Sequence, residues 1–321
     1  MCIRDRAKLH PQIVVKIPMI LDGVKALKYF SNKGIRTNCT LIFSVGQALI
    51  AAKAGATYVS PFIGRLDDIS TDGLNIISEI ANVYDNYAFN TQILAASVRH
   101  TMHIIDCAKI GADVMTGSSH KTFPGPQGGF ILSSSEDEKF QRRLNNAVFP
   151  GTCSSYHLHH VAGKVIALAE FMEYGHELSK NTVKNAQAFG AALAAEGFDV
   201  LAESRGYTAS HQVLTRHGEL DSGAGAKAAK LLEDAGIITN MNMLPGDTKA
   251  MTPSGLRLGV QELTRVGMGT DEMQDIASFY SRVLLKGEDP ASVKNDVREF
   301  KSNYQVIRYC FNEDEISGYP L

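Results

Sequence analysis

From residue 13 to residue 117 the chain repeats one pattern. Apolar runs of strand length alternate with ten- to fifteen-residue stretches whose apolar positions recur every three or four residues. The runs predict strands at Ile13–Ile17, Thr40–Phe43, Tyr58–Pro61, Ile93–Ser97 and Asp113–Thr116. The intervening stretches predict helices at Asp22–Lys33, Val45–Ala54, Gly73–Asn82 and Thr101–Ile110. Short strands alternating with helices mean βαβ units and parallel strands. Gly34 and Gly55 stand where two of these helices must stop, as a left-handed helix end requires.

The texture then changes. HKTFPGPQGGF (His120–Phe130) reads as a Gly/Pro loop, and FPGTCSSYHLHH (Phe149–His160) as a second one. Longer helical patterns follow at Val161–Leu178, Asn181–Glu196, Gly225–Ala235, Asp271–Leu285 and Ser292–Asn303, with strands near Gln212–Thr215 and Gly255–Val260. The opening MCIRDR has neither an apolar core nor a cleavage site; it reads as an artefactual leader over residues 1–7.

Composition narrows the function classes. With 321 residues the chain is long enough for about two domains. The formal charge of −2 argues against binding nucleic acid or an anionic membrane through bulk charge. No apolar run reaches membrane-spanning length. Five scattered cysteines without a CxxC read as reduced thiols, which points to the cytoplasm. The expectation is a cytoplasmic enzyme acting on small molecules, with no nucleic-acid or membrane partner.

Two lysines carry candidate chemistry. Lys16 interrupts a strand otherwise made of Ile, Val and Pro. Burial there would lower its pKa and free the amine to attack a carbonyl. By spacing alone the favoured alternative is a strand-end lysine whose head reaches water. Thr40, Ser60, Arg65, Ser97 and Arg99 sit at or beyond later strand ends, which in a βα barrel share the active face. The segments IVVKIPM, TNCTLIFS, AGATYVSPFIGRLDD and LAASVRH, across about residues 8–116, resemble the transaldolase and fructose-6-phosphate aldolase family. That resemblance implies a partial (β/α)8 barrel with about five of eight strands. It also implies an imine at Lys16, a substrate phosphate held by Arg65, Ser97 and Arg99, Thr40 beside the imine, and no cofactor. Phe62 stands where the hexose-cleaving members carry a tyrosine, which favours transaldolase-like chemistry. The family's first three strands, with an acidic residue and a substrate-binding asparagine, have no counterpart here.

The second lysine, Lys121, follows Ser118-Ser119-His120 and precedes the Gly/Pro loop. The string GADVMTGSSHKTFPGPQGG resembles the cofactor-lysine motif of serine hydroxymethyltransferase, and the likeness runs to the C-terminus through FPGT and SGLRLGVQELTRVGM. It implies the C-terminal half of a fold-type I transferase that uses pyridoxal 5'-phosphate. The end of its large domain would span residues 117–170 and its small domain 171–321. Lys121 would carry the cofactor, with His120 and His159 beside it, and Arg257 would clamp the amino-acid carboxylate. A folate-type one-carbon carrier and a homodimer with shared sites are implied as well. Ser154-Ser155 replaces the family's Gly-Gly after FPGT. The N-terminal half of that family, with its phosphate loop and the aspartate facing the pyridine nitrogen, has no counterpart here. Cys153, His157, His159 and His160 fit no metal spacing pattern, so no metal is expected.

The switch between the two resemblances falls within Gly111–Gly117, inside a strand and without a linker. Recombination, or the joining of two reading frames through a short shared string, leaves such a seam. The expectation is therefore a chimera. Its larger part is a one-carbon transferase between serine and glycine; the alternatives are aldol chemistry on sugar phosphates at Lys16, or a fragment with no catalysis.

Overall fold

The computed structural model describes residues 13–98, 101–133, 135–153, 155 and 157–312. The MCIRDR leader and Arg99 lie outside them. The chain divides into two compact units. One holds the residues up to Leu66 together with Asp72–Leu168; the other holds Asp67–Thr71 and the residues from Ala169 onward.

Unit 1 is built on six strands in the order β1 to β6: Val15–Pro18, Thr37–Ile42, Tyr58–Pro61, Gln92–Ala95, Val114–His120 and Pro124–Ser133. Pairs β1 to β5 are parallel, and β6 returns antiparallel on β5. Between them lie α1 (Leu21–Ser31), α2 (Val45–Lys53), the short α3 (Ile63–Asp67), α4 (Gly73–Asn86) and α5 (Thr101–Ile110). Asp72 caps α4 by accepting from the Leu74 and Asn75 amides, and Ser44 caps α2 through Gln47. A side-chain cap of this kind stabilises a helix by about 1 kcal/mol.

Alternate residues of a strand face opposite sides. The side carrying Val15, Ile17, Cys39, Val59, Ile93 and Ala95 meets Leu27 and Phe30 of α1, Ala48 and Ala51 of α2, and Ile76, Ile77 and Ile80 of α4. These residues form one core running from Val15 to Met115, so it reaches into the expected seam. Helices back this side, while the other side is a concave face that carries Lys16, Asn38 and Tyr58 in one register row. The result is a curled half-barrel sheet.

Three local expectations change. The Gly/Pro stretch after Lys121 is strand β6 rather than a loop. Proline and glycine are tolerated there because β6 is an edge strand. A helix not expected from the pattern, α6 (Glu138–Val148), follows it, capped by Asp137 and burying none of its residues. The separate helices expected at 161–178 and 181–196 form one helix, α7 (Leu158–Glu196). Its residues to Leu168 belong to unit 1 and the remainder to unit 2.

Unit 2 has a four-stranded antiparallel sheet, ordered β7-β8-β10-β9, from Asp199–Val200, Gln212–Arg216, Asn240–Asn242 and Gly255–Gly259. Helices α8 (Ala224–Asp234), α9 (Gln261–Arg265), α10 (Thr270–Leu284) and α11 (Pro290–Ser302) complete it. Phe189, Leu193, Val213, Leu232, Leu256, Met273 and Val293 anchor its core. The buried Asp68 carboxylate accepts from Ser210 Oγ at 2.7 Å. No described helix is long and apolar enough to cross a membrane.

Candidate functional sites

The concave face of unit 1 gathers one group of candidates. Lys16 is paired in register with Asn38, and Pro18 with Thr40. Asn38 and Thr40 are buried on β2; Ser60, buried on β3, donates to Asn38 Oδ1 at 3.0 Å. Asn38 was missed in the sequence. The signal was present, since it stands two residues before Thr40 and therefore shares its face. Thr40 Oγ1 is buried with no hydrogen-bond partner among the described residues. Arg65 is half-buried on α3. Ser97 follows β4 in a left-handed conformation (φ 60°), and its carbonyl accepts from the Gly64 amide at 3.0 Å.

Of the two readings of Lys16, burial within the strand and a head that reaches water, the structure has the second: the residue is exposed. Its neighbours Val15 and Ile17 turn into the helix-backed core, which sends Lys16 to the open concave side.

A cleft of about 750 Å3 opens on the same face, toward the amino-terminal strand ends. Asn38, Tyr58, Gln92, Arg36, Phe140 and Arg143 are among its lining residues. It therefore lies away from the carboxyl ends where Ser97 and Arg65 stand. Asp113 closes that amino end by accepting from the Ile93 amide at 2.9 Å.

The second group lies where β5 turns into β6. Lys121 is the first residue after β5 and is exposed. Ser119, buried, donates to the Pro126 carbonyl at 2.7 Å, which closes the hairpin over the lysine's own turn. The His120 ring lies against Gly128, with Nδ1 3.2 Å from its carbonyl and 3.3 Å from its amide. Gly128 has φ 152°, and a Cβ there would collide with the Lys164 ammonium. His159 is exposed at the start of α7, with its ring centroid 4.4 Å from His160 and 5.8 Å from His157. Among the described residues no group of three or more His, Cys, Asp or Glu is placed to hold a metal.

Arg257 stands in unit 2, on β10, paired in register with Leu214 and Asn240. Its neighbours Leu256 and Leu258 are buried in the core, so Arg257 points to the opposite, half-exposed side. The strand is led in by a polar clasp. Asp247 accepts from the Ser254 amide and hydroxyl at 3.0 and 2.8 Å, and from the Asp221 amide at 2.7 Å. Asp221 in turn accepts from Thr248 and Lys249. Hydrogen bonds outweigh desolvation at Asp247, and both carboxyls are held below the ordinary range.

The serine hydroxymethyltransferase family model matches residues 78–280. The chain belongs to that family. The Transaldolase/Fructose-6-phosphate aldolase model matches residues 3–123, so the chain is a composite of two family segments that overlap around the expected seam. The serine hydroxymethyltransferase of Pyrococcus abyssi is 54% identical over 210 residues, covering 64% of this chain and 49% of that protein. That of Thermococcus kodakarensis is 52% identical over 219 residues, covering 67% and 50%. The chain thus spans about half the length of the relatives it matches. Among solved structures, L-threonine transaldolase from Pseudomonas fluorescens, in its internal aldimine state, superposes with a TM-score of 0.73 at 21% identity. It covers 98% of this chain and 74% of the other, a likeness of fold.

Proposed function

We propose that the chain is a pyridoxal-phosphate-dependent protein of the serine hydroxymethyltransferase type, acting on a small amino acid. The observation that carries this reading is Lys121, presented in solvent at the carboxyl end of β5 on a hairpin closed by Ser119 and Gly128, inside a segment about half identical to those enzymes. When bound, pyridoxal phosphate supplies an electrophilic aldehyde and an electron-accepting ring. Lys121 would hold it, with His120 and His159 beside it. Arg257 would take the amino-acid carboxylate in a planar, two-point contact. A folate-type one-carbon carrier, assembly as a homodimer and a cytoplasmic location complete this reading. So do a fold-type I division into residues 117–170 and 171–321, and a partial (β/α)8 barrel over 8–116.

The residues fit the cofactor's aldehyde better than its ring. A pyridine nitrogen needs a facing acid to make the ring an electron sink. Strand β4 is followed by Ala96-Ser97-Val98 and β5 by Lys121-Thr122-Phe123, with no carboxylate at either. Binding is accordingly expected to outlast turnover.

A second reading is aldol chemistry on a sugar phosphate at Lys16. It rests on Asn38, Thr40 and Ser60 sharing the face of that lysine, with Arg65, Ser97 and Arg99 for the phosphate. A third is a non-catalytic composite. One experiment separates the three. The purified chain is incubated with pyridoxal phosphate or with fructose 6-phosphate, reduced with borohydride, and its modified lysines are mapped by mass spectrometry. Selective modification of Lys121 by pyridoxal phosphate supports the first reading. Modification of Lys16 by the sugar phosphate supports the second, and sparse uniform labelling the third.

A further inference from the structure

The hairpin that presents Lys121 is covered by the first turns of α7, and the contact is made through glycines. A Cβ at Gly163 would stand 2.7 Å from the Pro126 ring, so the helix backbone rides directly on the hairpin. The next residue, Lys164, lays its ammonium over Gly128, and the Ser119 hydroxyl would lie 3.5 Å from a Cβ built there. On the same glycine rests the His120 ring. One helical turn before Lys164 stands His160, its ring 4.4 Å from that of His159 and 5.5 Å from that of His157. Desolvation holds the His160 pKa below its ordinary value, and repulsion from His159, His157 and Lys164 adds to the effect. Among the described residues, no carboxylate forms an ion pair with Lys164 or with these histidines.

The Lys164 ammonium over a backbone that only glycine can form, with the His120 and His160 rings as hydrogen-bonding neighbours and on the hairpin whose turn carries Lys121, fits one ligand chemistry: a phosphate monoester on a small carbonyl compound. We propose that Lys164, supported by His120 and His160, binds the phosphate of the molecule whose aldehyde Lys121 takes. The proposal deepens the first functional reading and rests on it. It assigns the phosphate to a residue of α7, far in sequence from the cofactor lysine.

The test compares pyridoxal phosphate with pyridoxal, which has the same aldehyde and no phosphate. Borohydride capture at Lys121 is measured against concentration for the native chain, Lys164→Met and Lys164→Arg. In the native chain pyridoxal phosphate should half-saturate Lys121 at a concentration at least tenfold below pyridoxal, and inorganic phosphate should compete. Lys164→Met should abolish that preference while leaving pyridoxal capture unchanged, which also reports an intact hairpin. Lys164→Arg should retain most of it. Equal capture of the two aldehydes by the native chain, or an undiminished preference in Lys164→Met, overturns the proposal. If neither aldehyde selects Lys121, the functional reading fails. The anion site is then judged by NMR: inorganic phosphate shifting the His160 ring resonances in the native chain but not in Lys164→Met sustains it, and no shift overturns it.

Discussion

Two stretches of unit 1 treat their apolar residues in opposite ways. From Val15 to Met115, nearly every strand and helix contributes to a single buried core. From Pro124 to Leu168, Ala167 is the only described residue that is fully buried. In that second stretch Leu158 is 74% exposed and Val165 60%, with Val161, Ile166 and Leu168 around half. Both stretches have regular backbone hydrogen bonding. The difference teaches that secondary structure and a recognisable motif persist where burial does not. Hydrophobic burial supplies most of a domain's stability, so the two stretches should differ far more in free energy than in appearance.

Large-to-small substitutions break the comparison most sharply. Ile77→Ala on α4, or Leu256→Ala on β10 of unit 2, removes a fully buried side chain and should cost about 2–5 kcal/mol. Val165→Ala should change stability by less than about 0.5 kcal/mol. Urea unfolding followed by circular dichroism measures both, and a cost at Val165 matching that at Ile77 would erase the contrast.

Acid sharpens the picture for unit 2. Burial holds His217 neutral down to about pH 4, although Asp199 pulls the other way; Asp199 is itself engaged by Arg216 at 3.2 Å. The folded pKa lies below the unfolded value of about 6.5. Between those values the unfolded chain binds more protons, so stability is complete above pH 6.5 and falls as the pH drops toward 4. The loss is on the order of 3 kcal/mol, and His217→Gln should flatten the profile over that window. The Asp221 and Asp247 carboxyls are also depressed. Their contribution is present above the ordinary carboxylate pKa and disappears as pH falls through the depressed values, so Asp247→Asn should flatten the profile below about pH 4.

A smaller effect is expected at Asp68. Asp68→Asn keeps the shape but weakens a buried, charge-assisted bond to Ser210, with an expected loss of about 1–3 kcal/mol. Thermal unfolding reads it, and an unchanged midpoint would show that the bond contributes nothing.

Much of this was legible in the sequence. The βα alternation placed β1 to β5 and four of the helices between them within a few residues, because each strand carries an apolar row and several helices carry capping or stop residues. Three things were hidden. Strand β6 is written in Gly and Pro, and only its edge position permits that. Helix α6 buries nothing, so it leaves no apolar stripe to detect. The short α3 spans five residues, too few to carry a periodic apolar stripe. For the candidate sites, Lys121 and His120 were proposed from their string. Asn38 and Lys164 emerged only when register and packing brought them beside Lys16 and Gly128.

The central claim is that one sheet runs uninterrupted across the junction of two family segments, from β3 and β4 into β5. Native-state amide hydrogen exchange, read peptide by peptide in increasing urea, tests it most directly. The account predicts that β3, β4 and β5 lose protection together in one cooperative step, while α6 and the first turns of α7 exchange early. Loss of β5 in a separate step from β3 and β4 would contradict it.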